Sequence, residues 1–403
     1  MPAGAVIIGS GQAGVEAASA LRAQGYDAPI FLIGEEDQLP YQRPPLSKAY
    51  LLGTLDAARL PLRAESFYEK QQIDVLLGQA VVDIGAQVNR VRLKSGAVIP
   101  YDHLILALGA RNRLLTLKGA ERALYLRTAA DADAIREGLS RVDSVAVIGG
   151  GFIGLELAAA ARKKGKQVSV VEAAPRLMAR AVPPLLSDFF RDVHQQEGAD
   201  ILLNAAVEEI ESDAVRFADG SRCSAELVLA GIGVIPNVEL AQAAGLAVGN
   251  GIAVDEFLRT SDPSIFAIGD CAEFPCVFAN TGQGSRVRLE SVQNAVDQAK
   301  CVARCIMGMP EPYRDTPWFW TDQYDVRFQM AGLSGGHDRA VIRGKVDSRK
   351  FTAFYFIDGR LRAADSVNRF GDHIAVRKLL AADSRLTPEQ AEDESFDLKA
   401  ATP

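Results

Sequence analysis

The sequence of 403 residues has few histidines and few cysteines, and each scarcity excludes a class of chemistry. The four histidines are His103, His194, His337 and His373, and none has the spacing to another histidine or to a cysteine pair that a metal motif requires. All five cysteines follow residue 222, and their odd number favours a reducing compartment, the cytoplasm. We therefore expect no metal site and structural rather than catalytic thiols.

The sequence also lacks long apolar runs, a basic N-terminal region and an excess of positive charge. No apolar stretch approaches 18 residues and the start shows no signal-peptide features, so we expect no membrane segment. The formal net charge of −7 argues against general nucleic-acid binding, although a local basic patch could still meet one acidic partner. The length predicts two or three globular domains.

Two similar segments each combine a strand, a glycine-rich turn, a helix and a second strand. Their glycines are Gly9, Gly11 and Gly14 in the first segment and Gly149, Gly151 and Gly154 in the second. The second strand of each segment ends at an acidic residue, Glu35 or Glu172. This order is typical of the βαβ unit of a doubly wound parallel sheet, so the sequence predicts two dinucleotide-binding domains of Rossmann type.

In such a unit the glycines and the acidic residue bind different parts of a dinucleotide. The glycines permit a tight turn, close approach of the backbone to the pyrophosphate and close packing of the helix, whose N-terminus faces the phosphates. Glu35 and Glu172 stand where a carboxylate accepts hydrogen bonds from a ribose. Because Glu172 would repel a 2′-phosphate, we expect a preference for NADH, which Arg176 and Arg180 lie close enough to weaken.

The rest of the chain shows where the domains meet. Residues 99–111 are interpreted as a buried strand that ends in glycine, and residues 227–232 as a similar strand, and both mark crossings between domains. A helix is predicted over residues 292–306. From about Pro310 the pattern changes to strand-like runs at 328–333 and 351–357, which indicate a smaller C-terminal α+β domain.

Five segments carry a resemblance to a known family. They are Leu39–Lys48 (LPYQRPPLSK), Gly149–Glu156 (GGGFIGLE), Ser264–Asp270 (SIFAIGD), Arg288–Ala295 (RLESVQNA) and Trp318–Tyr324 (WFWTDQY). The chain resembles, over essentially its whole length, the FAD-dependent, NADH-linked ferredoxin reductases that serve oxygenases. The resemblance implies a glutathione-reductase-like α/β fold. The implied domains are an FAD-binding domain (1–110 and 236–309), an NADH-binding domain (111–235) and a C-terminal domain covering the flavin (310–403).

The same resemblance gives roles to charged residues around the flavin. Lys48 would lie beside the flavin N5 and pair with Glu156 across the domain boundary, because a buried lysine needs a counter-charge to stay protonated. Its positive field would favour a reduced flavin. Arg43 and Arg111 would contact the phosphate and adenosine side of FAD, and Asp270 its ribitol or phosphate region. The alternative for the lysine and the glutamate is an ordinary surface charge.

The resemblance also places apolar residues at the flavin and at NADH. The helix that begins at Val292 would direct its dipole at the flavin N1 and O2 edge, and Trp320 would pack on the isoalloxazine ring. Phe152 would cover the flavin until the nicotinamide displaces it, although both aromatics could be plain core residues. The implied NADH site consists of Gly149, Gly151, Phe152, Ile153, Gly154, Glu156 and Glu172.

The electron acceptor depends on what lies beside the flavin. Disulfide reductases and thiol peroxidases use a reactive cysteine, usually from the first domain, whereas this chain has no cysteine before Cys223 and carries Pro44 to Lys48 there. We therefore expect single-electron transfer to a 2Fe-2S ferredoxin that supplies a monooxygenase or a dioxygenase. An acidic ferredoxin would need a local basic patch. The candidates for this patch are Arg63, Arg286, Arg288, Lys300, Arg304 and Arg314.

Two alternatives stay open. Reduction of rubredoxin, or of a small acceptor such as monodehydroascorbate, would use the same scaffold. An NADH sensor similar to apoptosis-inducing factor belongs to a different class, in which reduction changes assembly or partner binding. Slow reoxidation of the reduced flavin would distinguish the sensor from a reductase.

Overall fold

Three five-stranded sheets form the framework of the protein, two of them parallel and one antiparallel. The structure is a computed structural model, and it describes residues 3–279 and 285–401. Each parallel sheet contains one of the glycine turns, and the antiparallel sheet belongs to the C-terminal part of the chain. This arrangement confirms the predicted glutathione-reductase-like fold.

The first parallel sheet contains the first glycine turn. In spatial order its strands are Ile265–Ala267, His103–Leu106, Ala5–Ile8, Ile30–Ile33 and Ile73–Leu76. Its central strands are entirely buried, as expected for a parallel sheet covered on both faces. The helices Gln12–Ala23 and Val292–Ile306 pack on one another and share the core of this sheet. A late segment of the chain thus joins the first nucleotide-binding sheet.

The second parallel sheet contains the second glycine turn. In spatial order its strands are Ala199–Leu203, Gln167–Glu172, Ser144–Ile148, Leu227–Ala230 and Ala123–Tyr125. Its helices are Ala129–Arg141, Phe152–Lys163 and Pro184–Gln196. An antiparallel pair, Ala110–Asn112 with Val234–Pro236, lies where the chain passes between the two parallel sheets.

The antiparallel sheet covers the second parallel unit. In spatial order its strands are Trp318–Gln323, Val326–Gly332, Arg360–Val367, Lys350–Ile357 and Arg339–Lys345. Phe328 and Phe351 on one face share a core with Phe189 and Phe190 of the helix Pro184–Gln196. The opposite face packs on the helix Phe370–Ala381. The C-terminal part is therefore fixed to the unit that carries the second glycine turn.

Smaller elements complete the described chain. The three-stranded sheets are Val81–Gly85, Arg90–Leu93 and Val98–Pro100; Val207–Ile210, Ala214–Phe217 and Arg222–Ser224; and Ile252–Ala253, Ala272–Pro275 and Arg286–Val287. The short α-helices are Ala49–Leu52, Glu65–Lys70, Glu239–Ala243 and Pro388–Glu392. The 3₁₀-helices are Pro44–Ser47, Ala57–Arg59, Ala86–Val88, Ala120–Arg122, Gly269–Cys271, Val346–Ser348 and Leu398–Ala401.

One strand prediction is wrong and another is too long. Residues 99–111 form parts of three strands in three different sheets, because Pro100 has no amide to donate and the backbone of Gly109 turns with φ +63°. The strand predicted over residues 227–232 ends at Ala230. The helix predicted over residues 292–306 is confirmed with those bounds.

Candidate functional site

The two glycine turns have nearly the same geometry. The first glycine of each has a positive φ, +109° at Gly9 and +106° at Gly149, which side chains of L-residues rarely tolerate. A Cβ on the third glycine would lie 1.9 Å from the Gly9 carbonyl oxygen at Gly14, and 2.0 Å from the Gly149 carbonyl oxygen at Gly154. Each helix therefore packs onto its own turn only because a side chain is absent.

The middle glycine of each turn faces open space. A Cβ on Gly11 would meet no atom within 4 Å, and one on Gly151 would meet only the Gly231 carbonyl oxygen at 4.0 Å. The helices Gln12–Ala23 and Phe152–Lys163 begin directly after these glycines without a side-chain cap. Free amides beside open space suit a pyrophosphate, so both turns fit a dinucleotide.

At the end of the strand Ile30–Ile33, the structure separates two neighbouring acids. Glu35 is exposed, in the position predicted for a ribose contact. Glu36, which the sequence analysis did not single out, accepts a hydrogen bond from Tyr41 and forms an ion pair with Arg43 at 2.7 Å. Burial raises the pKa of Tyr41 to about 12. Arg43 therefore lies on the nucleotide side of the first sheet with its charge partly balanced.

Glu172 stabilises the second glycine turn through hydrogen bonds to backbone amides. Its two carboxylate oxygens accept hydrogen bonds from the Gly150 amide at 2.7 Å and the Ala174 amide at 2.8 Å. Arg176 donates to the Val182 and Ala179 carbonyl oxygens and to Ser187, so its guanidinium is already engaged. Arg176 and Arg180 were expected to weaken a preference for NADH over NADPH. Only Arg180, which is exposed, can still have this effect.

Asp270 pairs with an arginine that the sequence analysis did not find. Its carboxylate lies 3.6 Å from the guanidinium of Arg127, and burial raises the pKa of Asp270 and lowers that of Arg127. Arg43 donates to the Arg127 carbonyl oxygen, so these three residues form one cluster. Arg111 is not part of it, since its exposed guanidinium binds Asn237 at 3.0 Å and Glu239 at 2.6 Å.

Lys48 and Glu156 form the predicted pair. Lys48 Nζ lies 2.7 Å from Glu156 Oε1, and the glutamate side chain is only 2% exposed. Two hydroxyl groups, of Ser47 and Thr321, also donate to this carboxylate. Thr321 comes from the C-terminal sheet, so Glu156 joins three parts of the chain. The sequence analysis did not predict this contact. Its only signal was the segment Trp318–Tyr324, which contains Thr321.

A cavity of about 310 Å³ opens beside this pair. Its lining residues are Gln12, Gln42, Pro44, Pro45, Lys48, Ala49, Leu55, Val292 and Trp320. The cavity therefore extends from the first glycine turn, through Lys48, to the N-terminus of the helix Val292–Ile306. Ser291 caps that helix by accepting from the Asn294 amide, and it donates to the Trp318 carbonyl oxygen. The two prolines and Trp320 give this cavity apolar surfaces that a flat ring system could contact.

The aromatic residues of the second turn lie next to the cavity wall. Phe152 contacts Phe319 with ring centroids 4.6 Å apart and stacks on Phe328 at 6.4 Å. Its neighbour Ile153 is 45% exposed. Phe152 is partly buried, so both the predicted cover over the flavin and a plain core role agree with its position.

None of the five cysteines lines the cavity. Cys271 follows Asp270 but is buried, and burial raises the pKa of its thiol to about 11, which keeps it from acting as a thiolate. Cys301 and Cys305 are in the last two turns of the helix Val292–Ile306, about 14–20 Å from its first residue at 1.5 Å per residue. The site therefore contains no reactive thiol.

The predicted basic patch is only partly exposed. Arg288 is 10% exposed and binds the Asp270 carbonyl oxygen and Glu290, so the prediction that it belongs to an exposed patch is wrong. Arg63, Lys300 and Arg304 are paired with Glu16, Asp297 and Glu311, whereas Arg286 binds the Val254 and Glu273 carbonyl oxygens. Arg314 is exposed and has no acidic partner among the described residues.

Residues 3–279 and 285–401 contain neither a metal cluster nor a membrane-spanning helix. No three side chains of the types that bind metals are grouped closely enough to hold an ion. No helix combines the length and the apolar character needed to cross a bilayer.

Comparison with known proteins agrees with this geometry. Residues 4–299 match the pyridine nucleotide-disulphide oxidoreductase family, and residues 318–402 match the reductase C-terminal family. The chain is 50% identical to rhodocoxin reductase of Rhodococcus erythropolis, over 98% of this chain and 93% of that protein. It is similar to the crystal structure of the ferredoxin reductase for the CYP199A2 system from Rhodopseudomonas palustris, with TM-score 0.95, 47% identity and coverage of 99% and 100%. It is also similar to a chain in the covalent putidaredoxin reductase–putidaredoxin complex, with TM-score 0.95, 40% identity and coverage of 99% for each chain.

Proposed function

Because the chain belongs to the pyridine nucleotide-disulphide oxidoreductase family, we propose that it reduces a 2Fe-2S ferredoxin with electrons from NADH, and that this ferredoxin supplies an oxygenase. Members of this family use FAD and NADH as cofactors. When bound, FAD accepts a pair of electrons from NADH and releases them one at a time. The residues of this chain bind, orient and shield these groups.

The first glycine turn and the cluster around Asp270 would hold FAD. Gly11 would give the pyrophosphate access to the helix N-terminus, Glu35 would contact the ribose, and Arg43 and Arg127 would provide positive charge. The cavity beside Lys48 would take the flavin ring. Its lining agrees with the predicted contacts of Trp320 and of the helix N-terminus at Val292.

The second glycine turn would hold NADH, at Gly149, Gly151 and Gly154. Glu172 carries a negative charge beside the position of an adenosine ribose and would disfavour the 2′-phosphate of NADPH. Phe152 and Ile153 follow this turn and approach the cavity wall. We extend this division to the chain as a whole, with residues 1–110 and 236–309 binding FAD, residues 111–235 binding NADH and residues 310–403 covering the flavin.

One observation carries the choice of acceptor: the flavin cavity contains a lysine and prolines where a thiol relay would need a cysteine. A disulfide or peroxide substrate requires such a thiol. Electrons then leave the flavin directly, which suits a one-electron protein carrier. The named ferredoxin reductases among the similar proteins support the same carrier.

The ferredoxin would dock near the exposed edge of the flavin cavity. We propose that Arg314 and Lys300 steer an acidic ferredoxin to this edge, since the net charge of −7 would otherwise repel it. The five free cysteines agree with a reducing compartment, and we propose the cytoplasm.

The test is anaerobic reduction of the purified flavoprotein by NADH, followed by addition of a 2Fe-2S ferredoxin with a terminal one-electron acceptor. We expect fast loss of the flavin absorbance and ferredoxin-dependent turnover, with NADPH much slower. Fast flavin reduction without ferredoxin turnover would contradict the proposed acceptor, and rubredoxin would be the next carrier to test. No flavin reduction by NADH would contradict the proposed function as a whole.

A further inference from the structure

The carboxylate of Glu156 is the end of a chain of buried hydrogen bonds. Thr321 Oγ1 lies 2.5 Å from Glu156 Oε1, and Gln323 Nε2 lies 3.3 Å from Thr321 Oγ1. Gln323 Oε1 lies 2.9 Å from His194 Nε2, and Tyr324 Oη lies 3.3 Å from His194 Nδ1. Thr321, Gln323 and His194 are almost completely buried.

The carboxylate fixes the direction of every bond in this chain. A carboxylate can only accept, so the Thr321 hydroxyl donates to it and must accept from the Gln323 amide nitrogen. The Gln323 carbonyl oxygen then faces His194 and accepts from its Nε2–H. The other ring nitrogen, Nδ1, is left to accept from the Tyr324 hydroxyl. All four donors therefore point toward Glu156.

His194 keeps this order because it stays neutral. Burial lowers the pKa of His194 to about 4, so at neutral pH it carries one proton, which the chain places on Nε2. The charged groups that face the chain are Lys48 at the Glu156 end and, around Tyr324, Arg162, Lys163, Glu197 and Asp325. Tyr324 lines a second cavity of about 290 Å³, so the chain runs from the Lys48–Glu156 pair to that cavity.

We propose that Thr321, Gln323, His194 and Tyr324 are positioning residues, which hold the Glu156 carboxylate in place as the partner of Lys48. This inference deepens the proposed role of the Lys48–Glu156 pair and depends on it. The residues come from the helix Pro184–Gln196, the C-terminal sheet and its first turn, whereas Glu156 is on the helix Phe152–Lys163. The C-terminal sheet would therefore set the position of an acid that faces the flavin, beyond covering the ring.

The test compares Thr321→Val with Thr321→Ser in the FAD-loaded protein. The valine variant has the same shape but cannot donate to Glu156, whereas the serine variant keeps the hydroxyl. Because losing a donor to a charged group is costly, we expect Thr321→Val to slow flavin reduction by NADH about tenfold. Thr321→Ser should restore the rate to within about twofold.

A second measurement does not depend on activity. Nitrogen NMR of the four histidines, with His194 assigned by loss of its signals in His194→Gln, should show a neutral Nε2–H ring down to about pH 5. Gln323→Met should abolish this single tautomer, because the Nε2–H loses its acceptor. A ring protonated on Nδ1 in the wild type would overturn the proposed direction.

Glu156→Gln separates the two proposals. If it leaves the rate at the wild-type value, the proposed role of the ion pair fails and the positioning chain fails with it. If Glu156→Gln is slow while Thr321→Val and Thr321→Ser have the same rates, only the positioning chain is overturned. If Gln323→Met loses its FAD, the comparison of Thr321→Val with Thr321→Ser still tests the proposed positioning chain.

Discussion

Lys48 Nζ lies 2.7 Å from Glu156 Oε1, although the two residues follow different glycine turns of the chain. Lys48 follows the 3₁₀-helix Pro44–Ser47 and lines the cavity that Trp320 also lines, and Glu156 is on the helix that begins at the second glycine turn. The lysine side chain is 20% exposed and the glutamate 2%. Because this contact is largely buried, removing either charge would leave the other one buried without a counter-charge.

Removing the lysine charge should affect both rate and stability. We expect Lys48→Met to slow flavin reduction by NADH about 100-fold, because a fixed positive charge beside the flavin is lost. It should also lower the free energy of unfolding by about 3 kcal/mol, because Glu156 is left buried without a counter-charge. Stopped-flow absorbance and thermal unfolding measure the two effects.

The double variant Lys48→Met/Glu156→Gln is the control for this experiment. It should regain most of the stability, since no unpaired charge is left, but should stay slow. Equal stability of the single and double variants would show that the pair is not coupled.

The second glycine turn separates a binding effect from a folding effect. Gly151→Ala places a methyl group in open space, where we expect it to obstruct the pyrophosphate and raise the KM for NADH about tenfold, with FAD retained. Gly154→Ala would bring its Cβ to within 2.0 Å of the Gly149 carbonyl oxygen and should destabilise the fold instead. Steady-state kinetics and melting curves of both variants check this, and loss of stability in Gly151→Ala would contradict it.

Local patterns in the sequence were enough to predict the two glycine turns and their strands. The turn at Gly9 and the turn at Gly149 each need a positive φ and close helix packing, and only glycine permits both. The glycines in the sequence are therefore enough to indicate these turns. The resemblance to a family then supplied the pairing of Lys48 with Glu156, which no local pattern contains.

Long-range packing accounts for what the sequence could not predict. Arg127, which the sequence analysis did not single out, reaches Asp270, because the position of a long side chain depends on how the segments around it pack. Arg288 was expected on the surface, but its side chain is largely buried and binds the Asp270 carbonyl oxygen and Glu290. The bond between Thr321 and Glu156 depends in the same way on the contact between the C-terminal sheet and the helix Phe152–Lys163.

Asp365 should make the protein less stable as the pH rises. Its carboxyl group is buried, with Tyr355 as hydrogen-bond donor at 2.9 Å, and burial raises the pKa of Asp365 to about 7 from an ordinary value of 3.8. The folded state therefore binds this proton more tightly than the unfolded state. The resulting stabilisation is complete below about pH 4 and is lost as the pH rises to about 7.

Asp365→Asn removes this dependence, since an amide does not ionise. We expect the variant to be more stable than the wild type by about 4 kcal/mol at pH 8, with the advantage vanishing near pH 4. Urea unfolding of both proteins across this range gives the difference. A difference that stays constant from pH 4 to pH 8 would contradict the argument.

Reversing the charge of a basic residue should weaken ferredoxin binding more when that residue lies closer to the exposed edge of the proposed flavin cavity. The Tyr313 hydroxyl donates to Asn294 in the first turn of the helix Val292–Ile306, so the adjoining Arg314 lies close to that edge. Along the helix, Lys300 and Arg304 lie about 12 and 18 Å from Val292 at 1.5 Å per residue. Charges are screened over about 10 Å at 0.1 M salt, so the three positions should differ.

We expect Arg314→Glu to raise the KM for a 2Fe-2S ferredoxin about fivefold at low salt, with smaller effects for Lys300→Glu and the smallest for Arg304→Glu. Arg141→Glu makes the same change of charge at an exposed residue of the NADH-binding part and is the matched control. Because these changes leave the NADH site intact, the rate of flavin reduction should not change in any variant. Equal KM values for Arg314→Glu and Arg141→Glu would mean that net charge alone acts and that no local patch steers the ferredoxin.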